Sequence, residues 1–180
     1  MKLRRLAVIT LLGLGCSAAF AQDKPIDQTK MPSKEEISEL VTKADEKVSS
    51  FEDAVKHAKP YLDKINPKFA PNYLDGASTA HTIIQKLQKN GPSAYGLVSL
   101  LATLDDLDLD GSTASVQLLR TDEEQVTRGK QPDVGSLGSV ILLSNSSTAC
   151  NDIAELIMHA TLRFVDVEEQ ILGKLLEKEK

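Results

Sequence analysis

The chain has 180 residues, of which 41% are hydrophobic and 4% aromatic, and its formal net charge is −5. Acidic side chains outnumber basic ones and there is no Trp. This composition argues against binding to nucleic acid or anionic lipid, because both depend on Lys and Arg neutralising phosphates, and against aromatic platforms for sugars or single strands.

The first 21 residues have the organisation of a secretory signal peptide. A basic start precedes a short apolar run over residues 6–15, and Ala19-Phe20-Ala21 gives the small-x-small pattern of a cleavage site. The run is too short to span a bilayer, and no later segment approaches 18 apolar residues, so we expect no integral membrane span. The sequence predicts cleavage after Ala21 and export to the periplasm or the medium. Removing the three basic residues of this segment leaves 18 basic and 26 acidic side chains, a net charge of −8.

The two cysteines differ in their expected roles. Cys16 lies within the signal peptide, and a lipid anchor there is disfavoured because Gly13 stands where a lipobox carries Leu. Cys150 is then the only thiol of the exported chain, which excludes an internal disulfide. Cys150 could be a nucleophile, a redox thiol or a point of intermolecular pairing. Its place beside an apolar stripe predicts a small buried residue instead.

A flexible tether is expected over residues 22–32, followed by a long amphipathic helix. Ser33 and Glu36 form a capping box at the start of this helix, and Pro60 is expected to bend or end it. Its apolar residues alternate spacings of four and three, which is a heptad pattern: Ile37, Val41, Ala44, Val48, Phe51, Val55, Ala58 and Leu62.

Three shorter helices are predicted next, after a connection over residues 66–71. The second covers residues 75–89 and ends at Asn90-Gly91-Pro92, and the third begins after Ser93. The fourth covers residues 113–128. The predicted buried positions are Ala77, Ala80, Ile84 and Leu87 in the second helix, Leu97, Val98, Leu101 and Leu104 in the third, and Val116, Leu119 and Val126 in the fourth.

The last predicted segment is the longest and follows a loop over residues 129–135. Its apolar stripe comprises Ile153, Leu156, Ile157, Ala160, Phe164, Val167, Ile171 and Leu175. The polar cluster Asn145-Ser146-Ser147 favours a break or kink. Residues 136–178 are therefore either one kinked helix or two elements.

These elements predict an all-α fold. Long amphipathic helices joined by short loops bury their apolar stripes in an antiparallel helical bundle. We expect a single domain over residues 33–180, with four to five helices of which the first and last are long.

The sharpest local motif is Asp106-Leu107-Asp108-Leu109-Asp110-Gly111. It matches the first half of an EF-hand loop, in which carboxylates at loop positions one, three and five bind calcium. Loop position twelve is Gln117 instead of a bidentate Glu, so any calcium site of Asp106, Asp108, Asp110 and Gln117 would be weak. The simpler interpretation is a helix end followed by an N-cap, with solvated aspartates.

The histidines do not form a recognisable metal motif. Two pairs have helical i,i+4 spacing, Asp53 with His57 and Glu155 with His159, but both project away from the apolar stripes. We expect them to be exposed. His81 lies at the edge of the apolar face of its helix and is predicted to be a boundary residue.

The function expected from these features is binding or structural interaction with a protein partner, or self-association, through the amphipathic helices. The sequence lacks the serine-hydrolase elbow, the Cys-x-x-Cys pair, the zinc-protease motif and the P-loop, so catalysis is not favoured. Two alternatives remain open: a weak calcium-binding module at residues 106–111, and an enzyme or redox protein that uses Cys150. No cofactor other than calcium is implied.

Overall fold

The structure, a computed structural model, describes residues 32–178, with side chains from residue 32 to residue 163. Within this range the chain forms four α-helices packed against one another and no strand: α1 (Lys34–Ile65), α2 (Phe69–Asn90), α3 (Ala94–Thr127) and α4 (Val134–Lys178). The all-α prediction is confirmed. The signal peptide, Cys16 and all but the last residue of the tether lie outside the described residues.

The predicted helix ends at Ser33, Gly91 and Ser93 are confirmed. Ser33 and Glu36 form the reciprocal capping box, in which the Glu36 amide donates to Ser33 Oγ (3.1 Å) and the Ser33 amide donates to Glu36 Oε2 (2.6 Å). Gly91 follows α2 with a φ of 83°, a conformation that favours glycine. Ser93 caps α3 by accepting from the Gly96 amide (3.2 Å). These short-range patterns fix three of the helix ends.

The predicted cores of α1 and α2 are also confirmed. All eight heptad positions of α1 are buried, together with Leu40 and Ala54, and so are the four apolar positions predicted for α2. A single apolar stripe on each helix leaves only one face that can turn inwards, because burying an apolar side chain contributes about 1.5–3 kcal/mol.

Pro60 does not end its helix, and the expected loop at Pro71 was wrong. Helix α1 does not end at Pro60 but continues to Ile65. Helix α2 begins at Phe69, so Pro71 lies in its first turn instead of in a loop. The amides of a first helical turn have no partner within the helix, and proline is therefore tolerated there.

Two helices continue through segments where breaks were considered, and α4 agrees with the single-helix alternative. The predicted third and fourth helices are one helix, α3, which runs through residues 106–111. Helix α4 runs through Asn145-Ser146-Ser147 without a break. Its hydroxyls are satisfied by the helix itself, because Ser147 Oγ and Thr148 Oγ1 donate to the Ser144 carbonyl (3.2 and 2.9 Å).

Contacts between named residues define how the helices run. Leu87 contacts Gly96 and Leu107 contacts Gly76, so α2 and α3 are antiparallel. Along α1 and α4 the pairs also run in opposite directions, with Lys47 next to Cys150, Ser50 next to Ser146 and Tyr61 next to Gly135. Both α2 and α4 pack on α1 and α3.

The buried face of α3 differs from the predicted one. Val98, Val116, Leu119 and Val126 were expected in the core but are each at least 42% exposed. The core-facing positions in the second half of the helix are instead Gly111, Ala114, Ser115, Leu118 and Asp122. Small residues at this face let α3 approach α4 closely: a Cβ at Gly111 would lie 2.5 Å from Ser147 Cβ.

Asp122 is the most unusual member of this buried face. It is 4% exposed, and neither of its carboxylate oxygens has a hydrogen-bond partner within the described residues. A buried acceptor without a donor costs about 1–3 kcal/mol, and a charged one costs more.

Replacing Asp122 with leucine should therefore raise the melting temperature. Asp122 follows Leu118 at the i+4 position, so an apolar side chain there would extend the core stripe. We expect a gain of about 1–2 kcal/mol, or roughly 3–6 °C, in thermal unfolding. The exposed Asp105 provides the matched control: Asp105→Leu should change stability by less than about 0.5 kcal/mol. A lower melting temperature for Asp122→Leu would mean that its carboxylate has a stabilising partner.

Candidate interaction face

The aspartates of the calcium motif do not form a loop. Residues 106–111 are helical, so successive aspartates two residues apart point about 200° away from each other around the helix axis. An EF-hand loop needs a sharp turn that brings these carboxylates together around one ion. The expected loop conformation is therefore wrong, and Gln117 lies about two to three turns further along the same helix.

The neighbours of these aspartates also differ. Asp110 lies near Tyr73 of α2, where burial, and then the charge of Asp106, raises the pKa of its carboxyl. Asp108 lies on the other flank, where its charge acts on Cys150 of α4. Asp106 is exposed. No group of three or more His, Cys, Asp or Glu side chains in the described part of the chain is arranged to hold a metal ion.

Calcium should not change the thermal stability of the protein unless residues 106–111 unwind. We expect the same melting temperature in excess chelator and in millimolar calcium, the concentration range of weak extracellular sites. The triple variant Asp106→Asn, Asp108→Asn and Asp110→Asn is the control. A calcium-dependent rise in the parent that the triple variant loses would show that this segment binds calcium in another conformation.

Cys150 is fully buried, as predicted. Burial, and then the charge of Asp108, raises the pKa of its thiol to about 12, and its Sγ donates only to the Lys47 carbonyl (3.9 Å). A nucleophilic or redox cysteine needs a thiolate near neutral pH and access from solvent. This environment supplies neither, so the geometry does not favour the alternative in which Cys150 is catalytic.

A charged cluster between α1 and α2 was missed from the sequence. His81 Nδ1 lies 2.7 Å from Asp45 Oδ1, and His81 Nε2 lies 3.5 Å from Glu52 Oε2. Glu52 also pairs with Lys56 (2.7 Å), which lowers the pKa of its carboxyl. Asp45 and Glu52 are one heptad apart on α1, and that spacing is the signal that could have revealed the cluster. It joins the two helices at their partly exposed edge.

The remaining histidine pairs behave as expected. Asp53, His57, Glu155 and His159 are all exposed. Asp53 and His57 line a shallow surface groove that Leu142 of α4 also borders.

The exposed apolar side chains form the most distinctive surface of the molecule. Within residues 32–163, every large hydrophobic side chain that is exposed lies on α3 or α4, at 41–85% exposure. They are Tyr95, Val98, Leu109, Val116, Leu119 and Val126 on α3, and Val134, Ile141, Leu142, Met158 and Leu162 on α4. The exposed sides of α1 and α2 lack such residues.

Three of these side chains form a stripe along α3. Successive helical residues differ by about 100°, which places Val98, Leu109 and Val116 within about 20° of one another on α3. A surface groove between α3 and α4, lined by Leu101, Ala102, Asp105, Asn151, Ala154, Glu155 and Met158, lies beside this stripe. We call the exposed apolar residues of α3 and α4 other than Tyr95 and Leu142, together with this groove, the α3–α4 face. Leu142 instead borders α1.

No helix among the described residues combines the length and the apolar character needed to cross a bilayer. Comparison with known proteins found no matching family model, no matching curated sequence and no matching solved structure.

Proposed function

We propose that this protein is an antiparallel four-helix bundle that acts by binding another protein through the α3–α4 face, and not by catalysis. One observation carries the proposal: the exposed large hydrophobic side chains of the described residues are confined to two neighbouring helices. Apolar patches gathered in this way on a folded domain are typical of interaction surfaces.

The energetics of the face support this assignment. Fully burying a Val, Leu, Ile or Met side chain contributes about 1.5–3 kcal/mol, and the face carries such side chains along both helices. The core of α3 does not account for the outward apolar side chains, because Gly111, Ala114 and Leu118 already occupy the core-facing positions while Val116 points outwards.

Site-specific photo-crosslinking in the producing cell tests the proposal. A photoreactive residue at Val116 or Ile141 should give a discrete crosslinked product, because both positions lie on the face. The same residue at the exposed Ser38 of α1 is the matched control and should give none. Equal crosslinking at all three positions, or none at any, would contradict the proposal.

We further propose that the protein is exported to the periplasm or the medium after cleavage behind Ala21. The support is the basic, apolar and small-residue pattern of residues 1–21. Intact-mass measurement of protein from the exported fraction should give a chain that begins at Gln22. A chain that retains residues 1–21, or one acylated at Cys16, would contradict this assignment.

A further inference from the structure

The charges of the four helices are distributed unevenly. On α1, acidic side chains pair with lysines one turn away, as in Lys56 with Glu52 (2.7 Å) and Lys59 with Asp63 (2.6 Å). By contrast, α3 has no Lys or Arg over residues 94–119, and α4 has none over residues 134–162. The acidic side chains of those two segments thus have no basic residue within their own segment.

Two of these acidic side chains border the groove of the α3–α4 face. Asp105 of α3 and Glu155 of α4 line it together with apolar side chains, which include Leu101 and Met158. Both carboxylates are on exposed residues. The groove therefore presents an apolar floor with negative charge on each side.

We infer that the α3–α4 face receives an amphipathic helix that carries Lys or Arg beside its apolar stripe. This inference rests on the proposed function and specifies the partner. A groove between two packed helices matches the ridge of a third helix, and apolar anchors at i, i+3, i+4 and i+7 fill it. Cations flanking those anchors would meet Asp105 and Glu155.

The length of the face sets the length of the partner. Val98 and Val116 are eighteen residues apart on α3, which corresponds to about 27 Å along the helix. A partner helix of about 18 residues, or five turns, would extend beyond the groove and cover the apolar stripe from Val98 to Val116.

A second copy of this chain is a poorer occupant. Two such grooves packed against each other would bring the Asp105 and Glu155 carboxylates of both copies to one interface, and no Lys or Arg lines the groove to offset them. Like charges across an interface are destabilising. The electrostatic pattern favours a cationic partner over self-association.

Two synthetic helices provide a direct test. One is an amphipathic peptide of about 18 residues built from leucine and lysine, and the other has glutamate in place of every lysine. Fluorescence anisotropy with the full chain should show binding of the lysine helix and at least about tenfold weaker binding of the glutamate helix. Added salt should weaken the lysine complex, since exposed charges are screened.

Substitutions separate docking in the groove from general attraction to an acidic protein. The variant Val116→Asp with Ile141→Asp removes apolar anchors but adds negative charge, and it should bind the lysine helix about tenfold more weakly. The variant Ser38→Asp with Ser49→Asp adds the same charge on α1 and should bind at least as well as the parent. Asp105→Asn with Glu155→Gln should weaken binding and reduce its salt dependence.

The outcomes distinguish this inference from the proposed function. Equal binding of both helices, with loss in the Val116 and Ile141 variant, would overturn the cationic partner but retain the face. Self-association abolished by that variant would identify a second copy as the occupant and overturn the inference. If the lysine helix bound more tightly, and by the same factor, to the two aspartate variants, its binding would be nonspecific attraction to an acidic protein. Neither the cationic partner nor the proposed function would then be supported.

Discussion

Replacing Gly111 with valine is expected to destabilise the protein by about 3 kcal/mol and to lower its melting temperature by about 10 °C. A Cβ at this position would lie 2.5 Å from Ser147 Cβ and 2.8 Å from Phe51 Cε2. Both neighbours are buried, and they belong to α4 and α1. The side chain would therefore force two helices apart, because a closely packed core resists added volume. Thermal unfolding followed by circular dichroism measures the effect.

Gly138 of α4 is the matched control. Nothing lies within 4 Å of the Cβ that a substitution there would add. Gly138→Val should leave stability unchanged or raise it by a few tenths of a kcal/mol, since glycine is the poorer helix former. Combining Gly111→Val with Ser147→Gly should recover part of the loss, because it removes the nearer clashing atom. Equal melting temperatures for Gly111→Val and Gly138→Val would disprove close packing at α3 and α4.

Raising the pH from about 9 to 12 should destabilise the protein through Cys150. The ordinary pKa of a cysteine thiol is 9.0, and burial raises the pKa of this one in the folded protein to about 12. Above pH 9 the unfolded chain loses the thiol proton while the folded chain keeps it, so stability falls as the pH rises towards 12. Each pH unit in this window costs about 1.4 kcal/mol, or roughly 4 kcal/mol in total.

A comparison with Cys150→Ala isolates this contribution. At pH 7.5 the parent should be more stable by about 1–2 kcal/mol, because alanine leaves a small cavity. Urea unfolding at pH 7.5, 9.5 and 10.5 should show this advantage shrinking and then reversing. The raised pKa of Tyr73, caused by burial and then by Asp110, is common to both proteins and cancels. Parallel curves for the two proteins would mean that the thiol is accessible to solvent.

The sequence predicted α1 well because that helix has one apolar stripe. Ile37 to Leu62 repeat at heptad spacing, and the surrounding positions are mainly charged or polar, so the buried face follows from periodicity alone. The capping box at Ser33 adds a local signal for the start of the helix. Neither inference needed information from another part of the chain.

Helix α3 could not be oriented from sequence because it carries two stripes. One stripe includes Ala114 and Leu118 and is buried, and the other includes Leu109 and Val116 and is exposed. Hydrophobicity favours burying the valines, whereas the close approach of α4 at Gly111 selects the smaller residues. That approach depends on Ser147 and Phe51, which are distant in sequence.

The same long-range contacts explain why α3 and α4 both continue through segments that favour a break. Asp110-Gly111 and Asn145-Ser146-Ser147 resemble helix ends when they are considered locally. In the folded chain Gly111 is needed for its contact with Ser147, and Ser146 Oγ faces Ser50 Oγ at 3.4 Å. The α3–α4 face was hidden by the same error, since its valines had been assigned to the core.

The connections between the helices have a bearing on how the chain folds. Residues 66–68, 91–93 and 128–133 join helices that also pack against each other, so most pairings form between neighbouring segments. Such local topology is typical of folding in microseconds to milliseconds. The main exception is the packing of α1 against α4, the first and last of the four described helices. The core around Phe51 is therefore completed only after α4 has been synthesised, and until then the nascent bundle depends on the three preceding helices.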